Sequence, residues 1–524
     1  MKWFKLVMSW FAAICLALAL TMPGVVLADD DEGEDDDGYS QAHDDDGDDN
    51  DGLTDDDGLT DDDGFSDDDG YGDDEGFADD DGFGDDEGFG DDDELGDDGF
   101  EDDDDGFGDD DDGRWDDDDR DDDDEWDEEA WDDDDDSDDG DDPGDASDEP
   151  VAGQAIVNLR RDADPAAFAN RVNVTILRTI PGPNIALVGL DENREDREQL
   201  DELRTDDDVV WAELNYTSQA PEGRPRYFFT SLEGKPQVVA SAALPQGVEF
   251  TPALACSTGA SVIVAVLDTG VDAEHPALQA NILTNGVNMV DVTFDVRDIG
   301  NGLDDNNDGQ VDEMVGHGTH VSGIILQVAP DVMILPVKVL NSDGVGDAFS
   351  VAAGIYYAEE QGAEVINLSL GTTYNSRIIH SAVEFVTDRG VVVVAAAGNG
   401  DREEPVEFPA AGPPAISVAS TTATGDKSSF SNFNEMVDIS APGENVASAY
   451  PDGMYTTSSG TSMSTPMVAA SAALLLEQRP DLEPDAVLFR LQASSSPLSL
   501  SNPALVGKLG AGEINVDASL SCSL

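Results

Sequence analysis

Basic residues are scarce in this chain and cysteines scarcer. Beyond the first thirty residues there is no apolar run long enough to cross a bilayer. With 23 Lys and Arg against 121 Asp and Glu, the formal net charge is −98. A surface of that sign repels nucleic acid and anionic lipid, and leaves divalent cations as the natural ionic partners. The imbalance is uneven: 71 of the acids lie between Asp29 and Glu149, opposed there by Arg114 and Arg120. The remainder is still acidic without them. Of the three cysteines, Cys15 falls in the N-terminal apolar run and lacks the preceding small residue of a lipid-attachment site. Cys256 and Cys522 lie near the two ends of the C-terminal domain. In an oxidising compartment they could pair, or they could remain two separate thiols, because sequence carries no distance.

What is present begins with a leader. Lys2 and Lys5 precede an apolar run to Leu20, and Val26-Leu27-Ala28 supplies a small-residue cleavage pattern before Asp29. Residues 1–28 therefore read as a secretory signal peptide, with an uncleaved anchor helix as the competing reading; Pro23-Gly24 and the cleavage pattern oppose it. The expectation is a secreted protein (extracellular, periplasmic or at the cell surface) with no stable membrane insertion. Residues 29–149 are an acidic low-complexity repeat region. From Asp55 a six-residue unit recurs as "DDDGLT", "DDDGFS", "DDDGYG" and "DDEGFA". Adjacent carboxylates repel, glycine breaks regular structure, and so few apolar residues build no core, so a disordered region is expected. Clustered carboxylates also suit a hard cation, so weak calcium binding is expected of the same tract.

At Val151 the composition changes. "GQAIVNL" alternates like a strand, and "DPAAFANRV" opens as a helix with Asp164 as cap and Pro165 in the first turn. "VTILRTI", "NIALVGL", "EDREQLDELR" and "VVWAELNY" complete a β-α-β-β-α-β order, that of a small α+β ferredoxin-like domain over 151–217. Residues 218–250 read as a linker. Over 251–520, continuous apolar strands such as "SVIVAVLD", "VMILPVKVL" and "GVVVVAAAGN" alternate with helical patterns. That order predicts an α/β fold, a doubly wound parallel sheet covered on both faces, with its site at the carboxyl ends of the strands.

Three segments fall at those ends. "AVLDTGVD" closes a strand with Asp268, "GHGTHVSGIIL" places His317 at the mouth of a helix, and "SGTSMSTPMVAASAALLLEQ" places Ser462 at the start of another. The N-terminus of a helix favours an anionic species. With "NLSLG" and "AAAGN", these segments resemble the motif set of the subtilisin-like serine proteases, from about residue 262 to 466, in the chain order Asp, His, Ser. The resemblance implies an enzyme, a serine endopeptidase that hydrolyses peptide bonds through an acyl-enzyme. Ser462 would attack, His317 would carry the proton, Asp268 would orient the imidazole, and Asn399 would donate to the oxyanion. His320, in the same motif, is expected to pack locally. Ser369, Leu370 and Gly371, with the stretch around Gly344, resemble the two edges that pair with an extended peptide. Ala396, Ala397 and Gly398 resemble one wall of the primary specificity pocket.

Between Asp268 and His317 lies "NGLDDNNDGQVDE". Asp304, Asn306, Asp308, the Gln310 carbonyl and Asp312 keep the spacing of the first five ligands of a calcium loop. Val315 stands where the bidentate Glu belongs, so the loop is not a complete EF-hand. Similar loops in subtilisin relatives imply a structural calcium here. The small α+β domain resembles the propeptide of these proteases. The chain would then be a self-processed zymogen, with the strand "AELNY" as its intramolecular inhibitor and a processing bond somewhere after Tyr216, which position alone does not fix.

Overall fold

Residues 150–221 and 256–520 are described by the computed structural model. The leader, the acidic repeats, most of the linker and Cys522 lie outside the described residues. The N-terminal domain runs β1 (Pro150–Leu159), α1 (Pro165–Val172), β2 (Thr175–Ile180), β3 (Ile185–Gly189), α2 (Asp196–Arg204) and β4 (Val209–Gln219). Helix α1 starts where its sequence directs: Asp164 accepts from the Ala166 N–H at 3.0 Å, and Pro165 spares a donor that would have had no partner. The strands lie in the order β2-β3-β1-β4, all antiparallel, the expected split arrangement.

Period-two alternation explains how this small sheet is covered. Ala155, Val157 and Leu159 face Phe168, Leu200 and Leu203 of the domain's own helices. Ile156, Ile180, Ile185, Leu187 and Trp211 belong instead to the large core of the C-terminal domain. The second face of the N-terminal sheet is thus covered by the domain that follows it, and both belong to one compact unit.

The C-terminal domain continues with β5 (Ile263–Asp268), β6 (Val287–Asn288), α3 (His317–Val328), β7 (Met333–Lys338), β8 (Val345–Asp347) and α4 (Ala348–Glu360). Then follow β9 (Val365–Leu368), α5 (Arg377–Thr387), β10 (Val392–Ala396), β11 (Ile416–Thr421), β12 (Ile439–Pro442), β13 (Val446–Tyr450) and β14 (Met454–Ser458). Helices α6 (Thr461–Gln478), α7 (Pro484–Ser494) and α8 (Val516–Leu520) close it. Seven strands form a parallel sheet in the order β12-β11-β10-β9-β5-β7-β6. The chain starts inside this sheet at β5, adds β6 and β7 on one side, then β9 to β12 on the other. That reversal opens a crevice at the carboxyl ends beside β5. Helix α6 is apolar on every side and is buried from Thr461 to Leu476.

Strand β4 does not stop with its domain. It pairs antiparallel with β8, matching Thr217 with Asp347, Ser218 with Gly346 and Gln219 with Val345. The strand therefore runs two residues into the stretch that reads as a linker. "TSQ" carries no strand signal of its own; its partner comes from the other domain, about 130 residues on.

Candidate active site

Asp268 ends β5, and its Oδ1 accepts the N–H of Thr269 and the Nδ1 of His317, each at 2.7 Å. Both side chains are fully buried. A carboxylate on Nδ1 fixes the imidazole tautomer and leaves Nε2 as the basic ring atom. His317 is the first residue of α3. The approach depends on Gly318, where a Cβ would stand 2.2 Å from the Gly270 carbonyl. His320 packs locally as expected, its Nε2 3.1 Å from the Val446 carbonyl. Burial, with His317 beside it, pushes its pKa down to about 3, so it stays neutral.

Ser462 is the second residue of α6, with its Oγ 3.4 Å from the Ser369 carbonyl. Four residues on, Pro466 has no N–H to give the Ser462 carbonyl. The Ser369 hydroxyl donates to that carbonyl instead, at 3.0 Å. Asn399 follows β10, and its Oδ1 accepts both the N–H and the hydroxyl of Thr461, at 2.9 and 3.0 Å. A backbone N–H requires an acceptor, so the amide is oriented with Nδ2 as the group left to donate elsewhere.

Several residues at this site carry no motif and were not legible beforehand. Asp298 is fully buried. Its Oδ1 accepts from Thr269 Oγ1 at 3.1 Å and Gly316 N at 3.0 Å; its Oδ2 accepts from Thr319 N at 3.1 Å and Thr319 Oγ1 at 2.7 Å. It ties the turn after Asp268 to the helix that starts with His317. Lys338 lies opposite Asp268 in the sheet register and donates its Nζ to the Thr269 carbonyl. Burial raises the Asp298 carboxyl and lowers the Lys338 ammonium, while each one's charge opposes the other's shift.

The two edges expected to pair with a peptide converge on β4. Gly371 and Gln219 exchange both backbone hydrogen bonds, at 2.9 and 3.0 Å, and the Ala220 N–H donates to the Gly344 carbonyl at 2.9 Å. The Leu370 side chain points away into the core, so that residue offers backbone alone. Ala396 is buried at the end of β10, and the Ala397 methyl joins a separate cluster with Leu498 and Leu509. Gly398 has a left-handed φ of 100°, and a Cβ there would meet Asn432 Nδ2 at 2.4 Å and Glu407 Cγ at 2.5 Å. Glu407, buried and paired with Arg402 at 3.0 Å, borders this wall unannounced by the sequence.

In the 301–313 loop, the acidic side chains fold back on their own backbone. Asp304 accepts from Asp308 N and Gly309 N, Asn306 from Asp308 N, Asp308 from Gln310 N, and Asp312 from Asn301 N and Gly302 N. Among the described residues, no three His, Cys, Asp or Glu side chains converge as a metal site. Glu313 is the exception in chemistry: its Oε2 is buried without a partner, and burial beside Asp343 pushes its carboxyl up to about 7. Cys256 is disulfide-bonded. No helix among the described residues is long and apolar enough to cross a membrane.

Comparison with known proteins gives the same frame. The profile of the subtilase family (peptidase family S8) matches residues 259–512, and that of the fervidolysin N-terminal prodomain matches 138–215. Thermitase from Thermoactinomyces vulgaris is 40% identical over 244 residues, which are 45% of this chain and 81% of the relative. Subtilisin DY from Bacillus licheniformis is 36% identical over 272 residues, 50% of this chain and 91% of the relative. The crystal structure of fervidolysin from Fervidobacterium pennivorans, described as a keratinolytic enzyme related to subtilisin, shares the fold with a TM-score of 0.57 at 21% identity. That likeness covers 72% of this chain and 62% of fervidolysin. A parallel sheet with Asp268, His317 and Ser462 at its carboxyl edge, behind a domain of fervidolysin-prodomain type, makes this chain a member of the subtilase family, a serine endopeptidase with a prodomain.

Proposed function

We propose that the protein is an exported zymogen whose endopeptidase cuts its own chain after Pro221 and then acts on other proteins or peptides. The observation that carries this reading is the register of β4. Gln219 lies opposite Gly371 with both hydrogen bonds formed. An antiparallel pair advances in opposite senses, so Pro221 falls opposite Ser369. The Ser369 carbonyl is 3.4 Å from Ser462 Oγ, which supports the Pro221 carbonyl as the one attacked.

In the reaction, the Ser462 oxygen bonds to that carbonyl carbon as Nε2 of His317 takes the hydroxyl proton. Asp268 holds the resulting imidazolium through Nδ1. The oxyanion forms between Nδ2 of Asn399 and the N–H of Ser462 at the positive end of α6. Collapse breaks the C–N bond, His317 returns the proton to the leaving amine, and water repeats the sequence to free Ser462. Until release, β4 fills the cleft as an intramolecular inhibitor. Export is supported by the leader's basic end, apolar run and small-residue pattern.

The test is intact-mass analysis of the full chain beside Ser462→Ala. The expected result is a parent that yields a fragment beginning at Glu222 while the variant stays whole. If both remain whole, or both are cut alike, the reading fails.

A second reading concerns calcium. The oxygen donors of Asp304, Asn306, Asp308, Gln310 and Asp312 have the hardness that calcium prefers, and the orphaned Oε2 of Glu313 supports a cation at this loop. It would stabilise the loop and take no part in catalysis. The acidic repeats would bind calcium weakly and in bulk. Deleting 29–149 should abolish bulk uptake measured by equilibrium dialysis and leave peptidase activity. Uptake that survives the deletion would disprove the role of the repeats.

A further inference from the structure

We propose that Tyr374 is a substrate-binding residue, an aromatic platform for an aromatic side chain at the sixth position on the acyl side of the scissile bond. The inference rests on the reading above, in which 216–221 lie as a peptide substrate lies. With Pro221 as the first residue on the acyl side, Tyr216 is the sixth. Tyr216 alternates along β4 with Ser218 and Ala220, both fully buried in the cleft, so strand geometry turns all three toward the same side. Its ring stacks on Tyr374 with centroids 3.5 Å apart and planes inclined by 20°. Thr217, between Tyr216 and Ser218, is partly exposed, as Tyr216 itself is.

Tyr374 belongs to the enzyme and stays behind when the N-terminal domain leaves. It comes three residues after Gly371, on the same peptide-binding edge. Thr372 pins that edge by exchanging backbone bonds with Phe408 at 3.0 and 2.7 Å. The Tyr374 N–H donates to Thr372 Oγ1 at 3.2 Å, and its carbonyl accepts from Ser376 N at 3.0 Å. A ring carried on a backbone fixed at both sides is positioned before the ligand arrives. An extended peptide pairing with Gly371 and Gly344 must carry its sixth side chain over it. Stacking accepts any aromatic ring, so Tyr, Phe or Trp would be favoured there over aliphatic or small residues.

The experiment uses the processed enzyme, its Tyr374→Ala and Tyr374→Phe variants, and three peptides. Two peptides differ in carrying Tyr or Ala at the sixth position, and the third ends before that position. The parent should prefer the Tyr peptide by about three- to tenfold in kcat/KM, expressed in KM. Tyr374→Ala should lose this preference and Tyr374→Phe should keep it, while the parent should still cut the short peptide. Equal use of the two long peptides by the parent, or a preference that survives in Tyr374→Ala, overturns the proposal. Failure of the parent on the short peptide overturns the peptidase reading beneath it, and this proposal with it.

Discussion

The hydroxyl of Ser369 donates to the carbonyl of Ser462 across 3.0 Å, and Asn367 Nδ2 donates to that same hydroxyl at 3.0 Å. The carbonyl needs this partner because Pro466 has no N–H to offer it. One hydroxyl thus joins the peptide-binding edge to the residue that attacks. Ser369→Ala would leave a buried carbonyl unsatisfied just where the nucleophile is held. Turnover should fall about five- to tenfold while the fold survives, as read by kcat beside a thermal melt. Unchanged kcat would show the link to be dispensable.

Asn399 is held through Oδ1 by Thr461, and in the proposed mechanism its Nδ2 donates to the oxyanion. Asn399→Ala should lower kcat roughly 10²- to 10³-fold with little change in KM. A loss carried mainly by KM would argue for substrate binding instead.

Pro221 has no N–H to place against the Ser369 carbonyl, which the proposed alignment sets opposite it. Pro221→Ala restores that donor and should speed self-processing about two- to tenfold, followed by a mass time course. An unchanged or slower rate would mean that another residue occupies the position.

Glu213 on β4 caps a helix of the other domain, accepting from Ser376 Oγ at 3.1 Å, Arg377 N at 2.9 Å and Ile378 N at 2.9 Å. Full burial pushes its carboxyl up to about 7 from an ordinary 4.5. The docked state therefore favours the protonated form. Its stabilising contribution is full below about 4.5 and is lost as pH rises through 7, by roughly 3 kcal/mol at most. In the Ser462→Ala background, Glu213→Gln should flatten this part of the pH profile of thermal unfolding. An identical slope in both proteins would remove Glu213 from the account.

Asp298 collects two N–H groups and two hydroxyls from the segments that carry Asp268 and His317. Asp298→Ala should cost about 3 kcal/mol or more and lower kcat with it, measured by denaturant unfolding and initial rates. A fully stable variant would show that water replaces the carboxylate.

The sequence made the frame visible because its signals are local. Asp164 with Pro165 marks a helix start, apolar strand runs between helical patterns mark a parallel sheet, and the segments around Asp268, His317, Asn399 and Ser462 are short and distinctive. What stayed hidden is long-range. Asp298 stands in "FDVRDIG" with no period to betray it, and its partners lie up to 29 residues away. Glu213 sits inside a strand pattern, yet it caps a helix 163 to 165 residues downstream. "TSQ" becomes a strand because two edges elsewhere offer it hydrogen bonds. The alternating oxygens of the 301–313 loop were legible as ligands, although local turns satisfy the same spacing with backbone amides.

Helix α6 carries Ser462 at its head and is enclosed by protein along nearly its whole length. Its amides have no route to solvent short of dismantling the central sheet, so hydrogen exchange there should track global unfolding. The edges around Gly344 and Gly371 are buried under β4 and face the cleft once it leaves. Breathing of the cleft and loss of the nucleophile's mounting are therefore events of very different free energy, so an enzyme of this build can flex to admit a chain long before its own reactive centre comes apart.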